Sequence, residues 1–174
     1  MPPSGPEPPH PAGGLRVVVS DAGPLISLGR LDLLPLLGRL FAEVQVPDIV
    51  VDECLARPDN LDAQRIRQAL ADGLLLSCPA PTTPLPGLQP GESAAIARAL
   101  EIGAALLMDE RAGRAHAMAL GLVVTGTVGV LVRARRHGLI GPLAPLLGTL
   151  RESGRRLSDE LVHQALADVG EATG

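Results

Sequence analysis

The sequence contains no lysine, no tryptophan and no tyrosine, and Phe41 is its only aromatic residue. The absence of lysine excludes chemistry that needs an amine, such as a P-loop or a Schiff base. A single aromatic ring argues against binding nucleic-acid bases by stacking on a platform of aromatic side chains. The core must therefore be aliphatic, and contacts to phosphate groups would have to come from the 15 arginines.

The sequence also lacks a basic overall charge, cysteine motifs and long apolar runs. Its formal net charge of −4 creates no general field that attracts nucleic acid. Cys54 and Cys78 are isolated in sequence, and no apolar run is long enough to span a bilayer. We therefore expect a cytoplasmic protein with no membrane segment. Residues 1–14 lack the pattern of a signal peptide and are rich in Pro and Gly, which predicts a disordered tail.

The remaining chain alternates between short apolar runs and helical patterns. Strands are predicted at residues 16–20, 41–46, 74–78, 104–108 and 122–125. A helical pattern follows each of the strands, and this alternation is typical of a parallel sheet with right-handed crossovers. We divide the chain into a domain at residues 15–140 and a C-terminal helical extension at residues 141–174, packed on the same domain. Residues 31–40 are rich in leucine, and their exposed surface would suit a dimer.

Three acidic residues lie at junctions between predicted strands and helices. Asp21 and Asp109 end two apolar strands, and Glu92 opens the helix before the second of these strands. The carboxyl ends of parallel strands form the crevice in which open α/β sheets bind ligands. Carboxylates that share a crevice raise one another's pKa unless a cation neutralises them. A hard divalent ion such as Mg²⁺ or Mn²⁺ prefers oxygen ligands and activates water for attack on a phosphodiester.

Each acid also has a simpler interpretation. Asp21 and Asp109 would serve as caps of the helices that follow them, and Glu92 would be a first-turn acid favoured by the helix dipole. Capping alone explains three acids at three such junctions less well than one shared site does. A dinucleotide-binding domain is disfavoured, because no GxGxxG motif follows the first strand.

Five segments of the sequence resemble the PIN-domain family. In order, they are VVVSDAGPLI at residues 17–26, VPDIVVDE at 46–53, GESAAI at 91–96, LLMDER at 106–111 and GTVGVL at 126–131. The resemblance extends over about residues 16–171. It includes the segment RLSDEL at residues 156–161, which is similar to an uncharacterised prokaryotic branch with a C-terminal helical extension.

The resemblance implies a three-layer α/β/α sandwich with a five-stranded parallel sheet, plus C-terminal helices. It also implies a metal-dependent ribonuclease. Many members of the family are toxins of toxin–antitoxin pairs and work as homodimers. By position, Asp21, Glu92 and Asp109 would be metal ligands. Glu53, which by itself reads as a solvated charge, would be the fourth catalytic acid. Glu110 stands where the branch often has Asp, and would contact a second metal or face solvent.

Other polar residues beside these segments have two interpretations each. Thr127 would bind a phosphate or a metal-coordinated water, or it would cap the following helix. Arg111 and Arg114 would contact RNA phosphates, or they would be solvated charges. The arginines at residues 133–136 fit a simpler role, because cations at a helix C-terminus complement the helix dipole. No histidine has the spacing of a zinc ligand.

The sequence therefore predicts a Mg²⁺- or Mn²⁺-dependent endoribonuclease that hydrolyses RNA by metal-activated water. Its predicted partners are the RNA substrate, a small antitoxin protein and a second copy of the chain. The alternative is a catalytically inactive PIN-like module that binds proteins or nucleic acid. Glu110 and the acidic net charge are the features that keep this alternative open.

Overall fold

The computed structural model describes residues 17–81 and 83–172. The predicted disordered tail at residues 1–14 lies outside them. In chain order the elements are β1 (Val17–Ser20), α1 (Ala22–Arg30), α2 (Pro35–Leu40), β2 (Glu43–Pro47), α3 (Asp48–Leu55), α4 (Leu61–Ala71), β3 (Leu76–Cys78), α5 (Pro90–Ile102), β4 (Ala105–Leu107), α6 (Arg111–Ala119), β5 (Val124–Thr125), α7 (Thr127–Arg136), α8 (Leu143–Glu152) and α9 (Asp159–Asp168). Within the described residues, no helix has the length and apolarity needed to cross a membrane.

The five strands form one parallel sheet in the order β3-β2-β1-β4-β5. In the centre, Val19 of β1 is paired with Leu106 of β4, and Ser20 with Leu107. The amide of Asp21 continues this pairing, because it donates to the carbonyl of Leu107 over 2.9 Å. The carboxyl ends of β1 and β4 therefore lie side by side, at the edge where ligands bind in open α/β sheets.

Alternating side chains of the central strands supply two separate hydrophobic cores. Val18 and Leu107 join the larger core, to which α1 to α4 and α7 to α9 contribute. Val19 and Leu106 face the opposite way and join a smaller core with α5 and α6. A strand can supply both cores only if it is apolar on both faces, as these two strands are. The predicted three-layer α/β/α sandwich with a five-stranded parallel sheet is confirmed.

The leucine-rich residues 31–40 do not form the exposed surface that the sequence suggested. Pro35 occupies the first turn of α2, where its missing amide hydrogen is no disadvantage, so the helix begins there. Leu34, Leu36, Leu37 and Leu40 are all buried in the larger core. The expectation of a leucine surface for a dimer was therefore wrong, because the helical spacing of these leucines turns them inward.

The C-terminal helices are part of the larger core, to which Leu143, Leu147 and Leu166 contribute. Glu171 fixes the end of the extension, since its carboxylate accepts hydrogen bonds from the amide of Leu143 and from Nε of Arg135. Arg135 thus has a specific acidic partner, beyond the dipole effect expected for the arginines at residues 133–136. The division into residues 15–140 and 141–174 stays a prediction.

Candidate active site

Asp21 follows β1 and is almost completely buried, with 7% of its surface exposed. It occupies the N-cap position of α1 but makes no capping hydrogen bond with its side chain. Burial raises the pKa of this carboxyl group to about 7, with a smaller opposing effect of the Ala22 amide. This raised pKa includes smaller contributions from the negative charges of Glu53, Glu92 and Asp109. Asp21 is therefore a buried acid within reach of three other carboxylates.

Asp109 follows β4 and is held by α7. Its Oδ1 accepts a hydrogen bond from the amide of Thr127, and its Oδ2 accepts one from the Thr127 hydroxyl, each over 2.7 Å. Nη2 of Arg155 lies 3.3 Å from the same Oδ2. About a quarter of the Asp109 side chain is exposed, at 26%. Thr127, which the sequence marked as a cap or a phosphate contact, thus orients Asp109.

Glu110 performs the capping that the sequence offered as a role for Asp109. It is the N-cap residue of α6, and its Oε2 accepts a hydrogen bond from the amide of Gly113 over 2.7 Å. Hydrogen bonds from backbone amides of α6, led by Gly113 and Ala112, lower the pKa of Glu110. Because Glu110 takes the cap position, the carboxylate of Asp109 is free for other contacts.

Glu92 and Glu53 meet at the first turn of α5. Glu92 forms a capping box with Gln89, whose amide donates to Oε2 of Glu92 over 3.2 Å. The carboxyl group of Glu53 lies against Gly91, and a Cβ at this glycine would collide with it. Burial raises the pKa of Glu53, the Gly91 amide lowers it, and the charge of Glu92 raises it. The first-turn interpretation of Glu92 is thus observed, and its charge also reaches Asp21.

Asp21 and Asp109 line one cleft of about 700 Å³ at the carboxyl edge of the sheet. Arg114, Arg155 and Arg156 line the same cleft. Its apolar wall includes residues of α8, of the segment after it and of α9. The cleft therefore combines carboxylates with guanidinium groups, which are suited to bidentate contacts with phosphate.

The two predicted phosphate-binding arginines occupy different positions. Arg114 lines the cleft and donates through Nη1 to the carbonyl of Met108 over 2.9 Å, which braces the backbone before Asp109. Arg111 is exposed at the start of α6 and does not line the cleft. Sequence reasoning did not find Arg155 or Arg156 as site residues. No spacing pattern marks them, because Arg155 is 46 residues from Asp109 and 128 from its partner Ser27.

A parallel α/β/α sandwich with acids after adjacent central strands defines the class of open α/β domains with carboxylates in the crevice where such sheets bind ligands. The model of the DUF3368 family, a PIN domain, matches residues 17–171, so the chain belongs to this PIN-domain family. PIN domains are generally nucleases and typically use divalent metal ions.

A solved structure with the same fold is a PilT N-terminus domain protein from the hyperthermophilic archaeon Sulfolobus solfataricus P2. The two chains share 20% sequence identity with a TM-score of 0.52, and the alignment covers 68% of this chain and 92% of the other. No curated protein matches this sequence.

The donor chemistry of the cleft fits a hard divalent cation, because Asp21 is a buried carboxyl group whose acidic neighbours raise its pKa. Among residues 17–81 and 83–172, no group of three or more His, Cys, Asp or Glu side chains is arranged to hold a metal ion. Mg²⁺ commonly binds through one or two carboxylates and keeps several waters. Asp21 and Asp109, which line the same cleft, are the pair that would hold it here, and metal ligation by Asp21, Glu92 and Asp109 stays a prediction.

Proposed function

We propose that this protein is an endoribonuclease that hydrolyses RNA phosphodiester bonds with Mg²⁺ or Mn²⁺ held by Asp21 and Asp109. One observation carries the proposal: two acids that follow adjacent central strands share a cleft with three arginines. The membership of the chain in a PIN-domain family supports the same reaction class.

The residues of the chain have distinct tasks in this reaction. Thr127 fixes both oxygens of Asp109, so this carboxylate keeps one orientation when substrate enters. Asp21 supplies a second carboxylate from the adjacent strand end, in surroundings that exclude most water. The negative charges of Glu53 and Glu92 help to raise the pKa of Asp21, so a bound cation would stabilise its ionised form. A bound divalent ion would supply positive charge at the phosphate and make water a better nucleophile.

The arginines of the cleft favour a nucleic-acid substrate. Arg114, Arg155 and Arg156 line its walls, and guanidinium groups bind phosphate oxygens in pairs of parallel hydrogen bonds. The chain has one aromatic residue, Phe41, whose ring lies 5.5 Å from the Arg133 guanidinium carbon. Recognition would therefore use phosphates and sugars rather than stacking of bases, and 2′-hydroxyl groups would distinguish RNA from DNA.

The biological role proposed here is that of a toxin controlled by a small antitoxin protein, acting as a homodimer. The family membership supports this role as one that PIN-domain nucleases can have. The arginine-rich wall of the cleft gives an antitoxin an accessible surface to which acidic side chains could bind. Induced expression in bacteria should arrest growth, and the arrest should disappear in Asp21→Asn.

The direct test is cleavage of end-labelled single-stranded RNA by the purified chain with 1 equivalent or more of Mn²⁺. Asp21→Asn should reduce the rate by about 100-fold or more, because a neutral amide is a poor ligand for a hard cation. Asp52→Asn is the matched control, since it removes an exposed carboxylate next to Glu53. Single-stranded DNA of the same sequence serves as the second substrate.

Equal cleavage by wild type and Asp21→Asn would disprove the assigned site. A wild type that binds RNA but never cleaves it would favour the alternative of an inactive PIN-like binding module. Equal cleavage of DNA and RNA would retain the nuclease and remove the preference for RNA.

A further inference from the structure

Arg155 enters the cleft from the segment between α8 and α9 and contacts two residues of α1 and the acid that follows β4. Its Nε donates to Oγ of Ser27 over 2.6 Å, and its Nη2 donates to the carbonyl of Gly23. The same Nη2 lies 3.3 Å from Oδ2 of Asp109. The C-terminal extension thus places a positive charge directly on a carboxylate assigned to the metal.

The site leaves room for this contact on α1. A Cβ at Gly23 would lie 3.1 Å from Nη2 of Arg155 and 3.4 Å from Oδ2 of Asp109. The first distance is tight for carbon and the second is an ordinary van der Waals contact, so a side chain here would press on the guanidinium group. The absence of a side chain at Gly23 therefore lets the guanidinium and the carboxylate approach each other.

Asp109 does not need Arg155 to keep its orientation. Thr127 already donates to Oδ1 through its amide and to Oδ2 through its hydroxyl, each over 2.7 Å. An ionised carboxylate has about four acceptor positions, and three of them are used once Arg155 is counted. The particular contribution of Arg155 is positive charge at Oδ2, where a metal ion would also bring positive charge.

We propose that Arg155 is an internal counter-ion of Asp109 that competes with the divalent cation for this carboxylate. The proposal rests on the proposed function, because it assumes that Asp109 is a metal ligand. When the ion binds, Arg155 gives up its position on Oδ2, and its guanidinium becomes available to a phosphate oxygen of the substrate. The affinity for metal is therefore lower than the carboxylates alone would provide.

The test compares Mn²⁺ affinities by isothermal titration calorimetry on the full chain after removal of metal with EDTA. Arg155→Gln should bind Mn²⁺ roughly three- to tenfold more tightly than wild type, since a like charge beside the ion is removed. Arg155→Lys keeps the charge and should stay within about threefold of wild type by the same reasoning. Arg156→Gln is the matched control, because Arg156 lines the same cleft and its loss changes the net charge equally.

Thermal unfolding in EDTA checks that each variant is folded before its titration is interpreted. Equal or weaker Mn²⁺ binding by Arg155→Gln would overturn the competition, as would an equal gain in Arg156→Gln. If Arg155→Gln does not fold, Arg155→Lys decides: tighter binding than wild type despite the retained charge would also overturn it. If wild type and all variants bind no Mn²⁺, the proposed function fails together with this inference. If wild type binds Mn²⁺ and Arg155→Gln binds it no more tightly, only the inference fails.

Discussion

Asp21 and Asp109 follow neighbouring strands of one sheet, yet the protein compensates their charges very differently. Asp109 is partly exposed, accepts two hydrogen bonds from Thr127 and lies beside the Arg155 guanidinium. Asp21 is buried, makes no capping bond and has a pKa raised to about 7. The sheet brings the two acids together, and the elements after β5 neutralise only one of them. Of the two acids, Asp21 is therefore the one whose ionised form would be stabilised more by a bound cation.

The largest effect expected from this difference is a pH-dependent loss of stability caused by Asp21. Its pKa is about 7 in the folded protein and 3.8 ordinarily. Its contribution to the free energy of unfolding is fully present below about pH 4 and is lost as the pH rises through 7. The loss should be on the order of 3 kcal/mol between pH 5 and pH 8. Asp21→Asn should lack this loss and be more stable than wild type at pH 8.

Urea unfolding in EDTA at pH 5 and pH 8 measures the difference for wild type, Asp21→Asn and the control Asp52→Asn. The control should follow wild type, because it removes an exposed carboxylate and leaves Asp21 in place. An identical loss between the two pH values in Asp21→Asn and wild type would show that Asp21 is not the responsible group.

The next effect concerns the compensated acid. Thr127→Val removes the hydroxyl that donates to Oδ2 of Asp109 while keeping the shape of the buried side chain. The free energy of unfolding should fall by about 1 to 2 kcal/mol, since a hydrogen bond to a charged group is lost. RNA cleavage should fall by roughly tenfold, because Asp109 loses part of its orientation.

Thr149→Val is the control for this substitution, since its hydroxyl donates to the carbonyl of Pro145 on an exposed face of α8. It should change the free energy of unfolding by less than about 0.5 kcal/mol. Chemical denaturation of both variants measures the difference. Equal effects of the two substitutions would mean that the bond between Thr127 and Asp109 has no special importance.

The smallest effect is expected at Glu110, which lies beside Asp109 in sequence but caps α6. Glu110→Ala should lower the free energy of unfolding by about 1 kcal/mol, as loss of an N-cap usually does. The affinity for Mn²⁺ should not change, because the Glu110 carboxylate is directed to the amide of Gly113. The control Glu152→Ala removes an exposed acid from the last turn of α8 and should not destabilise the protein. A marked loss of Mn²⁺ affinity in Glu110→Ala would instead support the second-metal hypothesis for this residue.

The sequence was sufficient to predict the sheet and the two acids after its central strands. The continuous apolar runs before Asp21 and Asp109 require burial on both faces, and only a parallel sheet between helix layers provides it. Once β1 and β4 are paired, the bond from the Asp21 amide to Leu107 fixes where the first acid lies. Local pattern and topology together therefore determine this part of the site.

The cationic wall of the cleft could not be predicted in the same way. Arg155 lies in an irregular segment after α8, and its partners on α1 and after β4 are distant in sequence. Its position depends on how α8 and α9 pack on the larger core, which no periodicity of the segment itself encodes. The burial of Leu34 and Leu37 was not predicted for a related reason. A leucine-rich pattern does not show whether its apolar side chains pack against the core of the same chain or face a partner.

Arg155 follows both Asp21 and Asp109 in the sequence, and this order has a consequence for biosynthesis. A ribosome releases Asp21 and Asp109 first, and N-terminal parts of a chain begin to fold while the rest is still being made. During that interval the nascent sheet carries its acids without the guanidinium that later reaches Asp109. The contact between Arg155 and Asp109 can therefore form only after both acids have been synthesised, and a chain truncated before α8 would keep Asp21 and Asp109 without this guanidinium.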